Sequence, residues 1–323
     1  MFDFMSKILV VGSISFDVIF EIHGNIKNEI PLRDGEIKNV NLMFTAKNKK
    51  EYFGGTAGNI AYGLGLLQEK PLLFSLAGKD FDDDYKKHLI ENNIVSKVIE
   101  KDNEFTATFY GISDEDKQQI GIWQPNAYGN WIDKAKLEET ISQKELGEVK
   151  IAIFSPGTGI STKNMLNEFR KVNKKATVIF DPSQVLSIFY SKDLLLECLK
   201  LSDIFIGNDT EIAQLKTLFD LDIHALLEMG IKAVIETKGE KGVSIHSKIK
   251  GSLSTTDLSS IKPNRVLETT GAGDAFRSGL IYGLMNQKSI VESCKIGTYM
   301  GAKCVEEYSG QMYKIDLNLI KNY

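Results

Sequence analysis

Short, wholly apolar runs alternate along this chain with stretches in which hydrophobic residues recur every three or four positions. KILVVG at 7–12 is a β-branched run closed by glycine, the pattern of a strand buried on both faces. Residues 57–67 then place Ile60, Leu64 and Leu67 on one helical stripe. The alternation recurs with strand LLFSLAG (72–78) and helix 82–92, strand VKIAIFSPG (149–157) and helix 163–172, and strand ATVIFDPS (176–183) with a helix through 194–199. DIFIGN (203–208) precedes helix 209–218, AVIETKG (233–239) precedes the strand GVSIH (242–246), and two helices close the chain at 272–286 and 289–306. This order predicts an α/β fold: a doubly wound, mostly parallel sheet flanked by helices, with right-handed crossovers. Such sheets bind ligands beyond the carboxyl ends of their strands, so runs that end in Gly or Asn mark candidate site edges.

Two segments break the rhythm. Residues 16–52 hold alternating strand patterns and turn signals without a helix, and 105–123 hold FTATFYGI and QQIGIW joined by an acidic turn at 114–117. Neither is long enough for its own core. The expectation is one domain over 1–323 whose small β-sheet lid is formed by about 19–52 and 104–124; the alternative is that these strands extend the edge of the main sheet. Their aromatics, Phe16, Phe44, Phe109 and Trp123, suit either stacking on a flat ring or filling a small core of the lid itself.

Composition narrows the partners. A chain of 323 residues has room for a substantial core, and 42% hydrophobic with 25% charged residues is ordinary for a globular protein. The net charge of −4 provides no basic field for nucleic acid. No apolar run approaches the roughly 18 residues that span a bilayer, and the start MFDFMSKILVVGS does not read as a secretory signal. A soluble, cytoplasmic protein is expected, although Asn208-Asp209-Thr210 spells a formal glycosylation sequon. Cys198, Cys294 and Cys304 fit reduced, buried thiols, and His23, His88, His224 and His246 share no metal-ligand spacing. No Walker lysine motif, complete G-x-G-x-x-G or G-x-S-x-G elbow is present.

Candidate chemistry clusters in three places. ETTGAGDAF (268–276) puts Gly271, Ala272 and Gly273 before Asp274 at the start of a helix. Bare backbone there admits an anion to the free N–H groups, where the helix dipole favours it; a Gly-rich loop with an acidic cap is the plainer reading. EYFGGTAGNIAYGLGLL (51–67) puts Gly54 and Gly55 before a helix with Asn59 in its first turn, an arrangement for a hydroxyl compound or simply a loop and cap. In GNDTE (207–211), Asn208 and Glu211 at i, i+3 suit either water-mediated support of a hard cation or a capping box.

Taken together, the glycine pair with Asn59, N-x-x-E at 208–211, T-K-G-x-x-G at 237–242 and TTGAGDAF occur in the order and spacing of the ribokinase-like (PfkB) carbohydrate kinases, which the chain resembles over essentially its whole length. GSISFD (12–17), the spelling AGNIAYGLGLL, FDPSQ (180–184), Arg277 after DAF and SGQ (309–311) are similar to the adenosine and nucleoside kinases of that family. The resemblance implies transfer of the γ-phosphoryl of ATP to the ribose 5′-hydroxyl of a nucleoside, adenosine first. The alternative is a sugar kinase acting on ribose or a fructose derivative.

By the same resemblance Asp274 is the base, and the N–H groups of Ala272, Gly273 and Asp274 with Gly271 form the anion hole. Asp17, Asn59 and the backbone of Gly54 and Gly55 clamp the sugar. Asn208 and Glu211 organise Mg²⁺ through water, and Thr237, Gly239 and Gly242 wall the nucleotide cleft, with Lys238 near phosphate. Glu268 departs from the usual Asp, which puts activation by K⁺ in question. A small-molecule acceptor and ATP are the expected partners, with neither nucleic acid nor membrane, in a monomer or homodimer.

Overall fold

The computed structural model describes residues 7–320 except 30–31, 34–35, 38–41, 117 and 250. In chain order its principal elements begin with β1 (Ile8–Val11), β2 (Ser15–Ile22), β3 (Ala46–Gly54), α1 (Thr56–Leu66), β4 (Leu72–Phe74), α2 (Asp83–Glu91), β5 (Thr108–Ser113) and β6 (Gln119–Gln124). There follow β7 (Ile151–Phe154), α3 (Gly159–Val172), β8 (Thr177–Phe180), α4 (Lys192–Lys200), β9 (Ile204–Asn208) and α5 (Asp209–Phe219). The chain closes with β10 (Ala233–Thr237), β11 (Val243–Ile249), β12 (Ser252–Leu258), α6 (Ala272–Met285) and α7 (Ile290–Cys304).

Among the described residues nine strands form the main sheet, in the order β12-β11-β10-β9-β8-β7-β1-β4 and then the short edge strand Val95–Ser96. Pairing is parallel from that edge to β10 and antiparallel on both sides of β11. Successive side chains of a strand leave opposite faces, so each wholly apolar run feeds two cores. Leu9, Val11, Phe154, Val178, Phe180 and Phe205 pack on Met165, Phe169 and Leu195 from α3 and α4. Ile8, Val10, Ile153, Ile179 and Ile206 pack on Ile60, Leu64, Phe276 and Leu280 from α1 and α6. Each fully buried Ile, Leu or Phe contributes about 1.5–3 kcal/mol, which is why β1 and β7 carry apolar residues at every position.

The apolar run at 72–78 is broken rather than continuous. β4 stays in the main sheet, whereas Leu76–Gly78 pairs with Ile99–Lys101. The break is at Ser75, whose hydroxyl accepts from the Ile14 N–H at 3.1 Å. Helix α3 also starts a turn before its apolar pattern does, because Thr158 caps it by accepting from the Ser161 N–H at 3.1 Å.

The lid strands do not extend the main sheet; they form a second sheet in the order β6-β5-β2-β3. A short helical turn at Ile26–Glu29 follows β2, and much of 30–41 lies outside the described residues. One face of this sheet presents Phe16 and Phe53, which pack with Tyr85 of α2 at ring separations of 5.4 and 4.4 Å. Phe16 is therefore part of the packing that seats the sheet. The other face carries the row Trp123, Phe109, Asp17 and Tyr52, paired across four strands. Its two edges differ: β3 reads AKNKKEYFG and β6 reads QIGIWQ, with every β6 residue exposed.

Helix α6 is placed by glycine. A Cβ on Gly279 would lie 2.7 Å from the Gly297 nitrogen, and one on Gly297 would lie 2.8 Å from the Phe276 carbonyl oxygen, so α6 and α7 touch backbone to backbone. Gly279→Ala must push them apart and is expected to destabilise the protein by about 1–3 kcal/mol. Urea unfolding measures this, and turnover should fall in parallel because α6 carries Asp274.

Candidate active site

Helix α6 opens without a side-chain cap. Gly271 at its N-cap has φ +83°, and a Cβ there would come 2.8 Å from the Gly310 Cα, so only glycine serves both needs. The Ala272 N–H turns back toward the Thr269 carbonyl at 3.2 Å, and the first helical bond runs from the Ala275 N–H to the Gly271 carbonyl at 2.9 Å. Gly273 and Asp274 thus occupy the first turn, at the positive end of the helix dipole. Glu268 folds onto its own loop, accepting from the N–H groups of Thr269 and Thr270 at 2.8 and 3.1 Å.

Asp274 is half-buried, and burial pushes its pKa up to about 7 against the opposing pull of Arg277 and of the Asn59 amide. Asn59 Nδ2 donates to Asp274 Oδ2 at 2.8 Å, and Asn59 Oδ1 accepts from Gln311 at 3.1 Å. Arg277, one helical turn beyond Asp274, grips Asp181 through Nε and Nη2 at 2.5 and 2.8 Å. Burial works against the guanidinium charge, but Asp181, Asp274 and Glu211 together hold its pKa above the ordinary value.

On β2, Asp17 accepts from the Ser15 hydroxyl at 2.8 Å. Burial outweighs that bond and raises its pKa to about 6. A Cβ on Gly54 would collide with this carboxylate; glycine is required there because Asp17 lies against the strand. Gly55, at φ +85°, would bring a Cβ within 2.6 Å of the Ser13 carbonyl oxygen, which accepts from the Ala57 and Gly58 N–H groups at 3.0 and 3.3 Å. The Gly54 carbonyl accepts from Tyr85 Oη at 3.1 Å and Gln311 Nε2 at 3.2 Å. The glycine pair therefore closes the start of α1 against the β1–β2 loop and makes room for Asp17.

Asn208 and Glu211 form a reciprocal capping box at the end of β9. Glu211 N–H donates to Asn208 Oδ1 at 2.8 Å, and Asn208 N–H and Nδ2 donate to the Glu211 carboxylate at 2.8 and 3.1 Å. Burial, then Asp181, raises the Glu211 pKa. Thr237 pairs with Asn208 across β9 and β10. Gly239 and Gly242 both have positive φ in the following turn, where a Cβ on Gly242 would strike the Leu258 carbonyl. Lys238 Nζ is bound to the Ser244 hydroxyl at 2.6 Å and Glu236 at 3.2 Å. Its charge is thus compensated on the sheet.

Asp181, Ser15, Gln311 and His88 belong to this constellation without having carried a role in the sequence reading. Asp181 and Gln311 fall inside FDPSQ and SGQ, the one signal that pointed to them; His88 had none, since nothing local marks a half-buried helix histidine as the neighbour of residue 311. Of the lid aromatics, Phe109 is half-buried with its ring across Gly111 and Gly121, at both of which a Cβ would crowd that ring. Trp123 is 42% exposed and Phe44 half-buried.

A family model described as pfkB family carbohydrate kinase matches residues 5–315. The chain belongs to this family. It is an ATP-dependent kinase that acts on a hydroxyl acceptor. A nucleoside kinase of Methanocaldococcus jannaschii is 27% identical over 94% of this chain and 91% of its own length, and one of Methanothermobacter thermautotrophicus is 26% identical over 94% and 91%. The M. jannaschii nucleoside kinase structure superposes with a TM-score of 0.82 at 24% identity, covering 98% of this chain and 97% of that one. A Burkholderia thailandensis nucleoside kinase in complex with ADP-inosine gives 0.80 at 25% identity, covering 98% and 94%. Among the described residues no helix is long and apolar enough to cross a membrane.

Two stability predictions follow from the carboxylates of this pfkB kinase. Asp181→Ala leaves a buried guanidinium unpaired and should cost about 3–5 kcal/mol, read by urea unfolding. Asp274 has a folded pKa of about 7, above the ordinary aspartate value of 3.8, so its ionised form is penalised on folding, by an amount that grows from about pH 4 to pH 7 and then levels. Asp274→Asn removes the penalty. It should raise Tm at pH 8 and by less at pH 5; an equal change at both would contradict the assigned pKa.

Proposed function

We propose that this protein transfers the γ-phosphoryl of ATP to the ribose 5′-hydroxyl of a nucleoside, with adenosine the expected acceptor, giving the 5′-monophosphate and ADP. The observation that carries the reading is Asp274: a carboxylate at the uncapped start of α6, with a pKa near 7, held by Asn59 and facing Asp17. The acceptor oxygen attacks the γ-phosphorus as its bond to the β-phosphate oxygen breaks, and the hydroxyl proton passes to Asp274. Charge that spreads over the phosphoryl oxygens meets the N–H groups of Gly273 and Asp274, while the long bond from Ala272 to Thr269 leaves that third donor available to turn. Gly271 and Gly273 keep the approach free of side chains.

Asp17 would accept from the ribose hydroxyls, and the Nδ2 hydrogen of Asn59 not used on Asp274 remains for the sugar. What favours a nucleoside over a free sugar is Phe109. It stands in register with Asp17 on the same face of the lid sheet, its ring spread over two glycines, and offers an apolar plane one strand away from the sugar clamp. Relatives described as nucleoside kinases support the same class, and a Thermococcus kodakarensis relative described as a cytidine kinase, 26% identical over 81% of this chain, makes the range of bases an experimental question.

For the nucleotide, Thr237, Gly239 and Gly242 would wall the cleft. The donor chemistry at Asn208 and Glu211 would suit a hard cation held through water, because the Glu211 carboxylate is buried near Asp181, its hydrogen bonds come from the neutral Asn208, and Arg277 only partly offsets the charge of these carboxylates. Mg²⁺ there would offset the charge of the ATP phosphates. Glu268 spends its carboxylate on its own loop, which counts against a K⁺ requirement. The lid sheet would close over the acceptor and exclude water, favouring transfer over hydrolysis of ATP.

Asp274→Asn should lower kcat with adenosine by about 10²–10⁴-fold, in a coupled assay for ADP. In the unaltered protein, kcat should climb as pH rises through 7 and Asp274 ionises. A thermal-shift comparison addresses the acceptor: adenosine should raise Tm more than ribose or fructose, and the reverse order would replace the nucleoside by a sugar.

A further inference from the structure

Asn59 is a neutral amide, and which of its ends faces Asp274 decides whether the carboxylate is favoured as an anion or as an acid. The chain of partners behind it has one allowed sense. Gln311 Nε2 donates both to the Gly54 carbonyl at 3.2 Å and to Asn59 Oδ1 at 3.1 Å. Gln311 Oε1 lies 2.8 Å from His88 Nε2. The His88 ring is held between Phe53, at 4.6 Å, and Tyr62, at 5.8 Å with planes 8° apart. A backbone carbonyl only accepts, so Gln311 must turn its NH₂ toward Gly54. Its own oxygen then faces His88, which must carry a proton on Nε2. The same NH₂ forces Asn59 to present Oδ1 to Gln311 and Nδ2 to Asp274.

We propose that Gln311 and His88 are positioning residues for phosphoryl transfer, which fix the sense of the Asn59 amide and so keep Asp274 in its proton-accepting form. The proposal rests on the reading of Asp274 as the base. Neither residue touches the reacting atoms.

The balance they act on is close. Arg277, from α6 itself, stabilises the Asp274 anion, while Asp181 after β8 and Asp17 on β2 oppose it. The Cys304 thiol of α7 and the Tyr313 phenol also face it, both held neutral chiefly by burial. Burial is the largest influence and favours the acid. Were the Asn59 amide free to rotate, a protonated Asp274 would donate to Oδ1 and the acid would gain a partner that the anion loses. His88 is itself kept neutral mainly by burial, against the pull of Gln311 and Glu91; charged or neutral, it donates from Nε2, so its own titration leaves the sense of the chain unchanged.

The test is the pH dependence of kcat with ATP and adenosine in the full-length protein. Gln311→Met keeps the volume and removes both polar ends. Its acid limb should move up by about one pH unit, giving roughly a 10-fold loss at pH 6, with kcat at saturating adenosine recovering toward the unaltered protein's value at pH 9. A residue that merely supports packing would lower kcat equally at every pH, and an unmoved limb overturns the proposal.

Should Gln311→Met fail to fold, His88→Phe preserves the ring packing and removes only the donor. It should shift the limb in the same direction by a smaller amount, with His88→Gln restoring it; His88→Phe with an unmoved limb is again the overturning result. Asp274→Asn separates the two readings. If that variant is inactive while the limb stays fixed in the Gln311 and His88 variants, the positioning chain is wrong and the base stands; if it turns over normally, both fall.

Discussion

A guanidinium buried among carboxylates is the interaction around which this site is organised. Arg277 lies one turn along the helix that begins at Gly271, and its bidentate grip on Asp181 ties α6 to the loop after β8. The same charge tempers the proton affinity of Asp274 on its own helix and meets Glu211 from α5. A lone buried cation would be costly to keep, and so would the buried carboxylates of Asp181 and Glu211 beside half-buried Asp274. Each is tolerable because the others are present, so the helix start, the ends of β8 and β9 and the carboxylate at position 274 form one unit.

Around that unit glycine sets distances. Gly54 gives Asp17 its place, Gly271 lets the loop at Gly310 close on the helix start, and Gly279 with Gly297 lets α6 settle on α7. At Gly271 the reason is both conformational and spatial, and at the others it is purely spatial. In each case a methyl group would push apart two elements that both contribute to the site.

Most of the fold was legible because its strands are buried on both faces: an apolar residue at every position of ILVV (8–11) or VIF (178–180) is what two cores demand of one strand. The helix starts marked by Gly271 and Asn208 were equally plain, since capping chemistry is local. The break at Ser75 was not, because an apolar run looks the same whether or not its last residues change partner. In the site, the glycine corners at 54–55 and 271 were legible, while the contacts of Asp181, Gln311 and His88 were hidden. Their partners are 96, 252 and 223 positions away, and no periodicity encodes a contact of that range. The bond from Asn59 to Asp274 was hidden for the same reason, with 215 positions between the two.

The two rims of the lid sheet have unlike chemistry. β3 meets solvent with Lys47 and Lys49, paired to Glu115 and Glu51, and its half-exposed Lys50 is paired to Glu21, so its rim is charged along its length. β6 has Ile120, Ile122 and Trp123 open to water and no charged residue at all. The two rims of this sheet therefore differ in kind: one is screened by charge, and the other leaves apolar side chains in water.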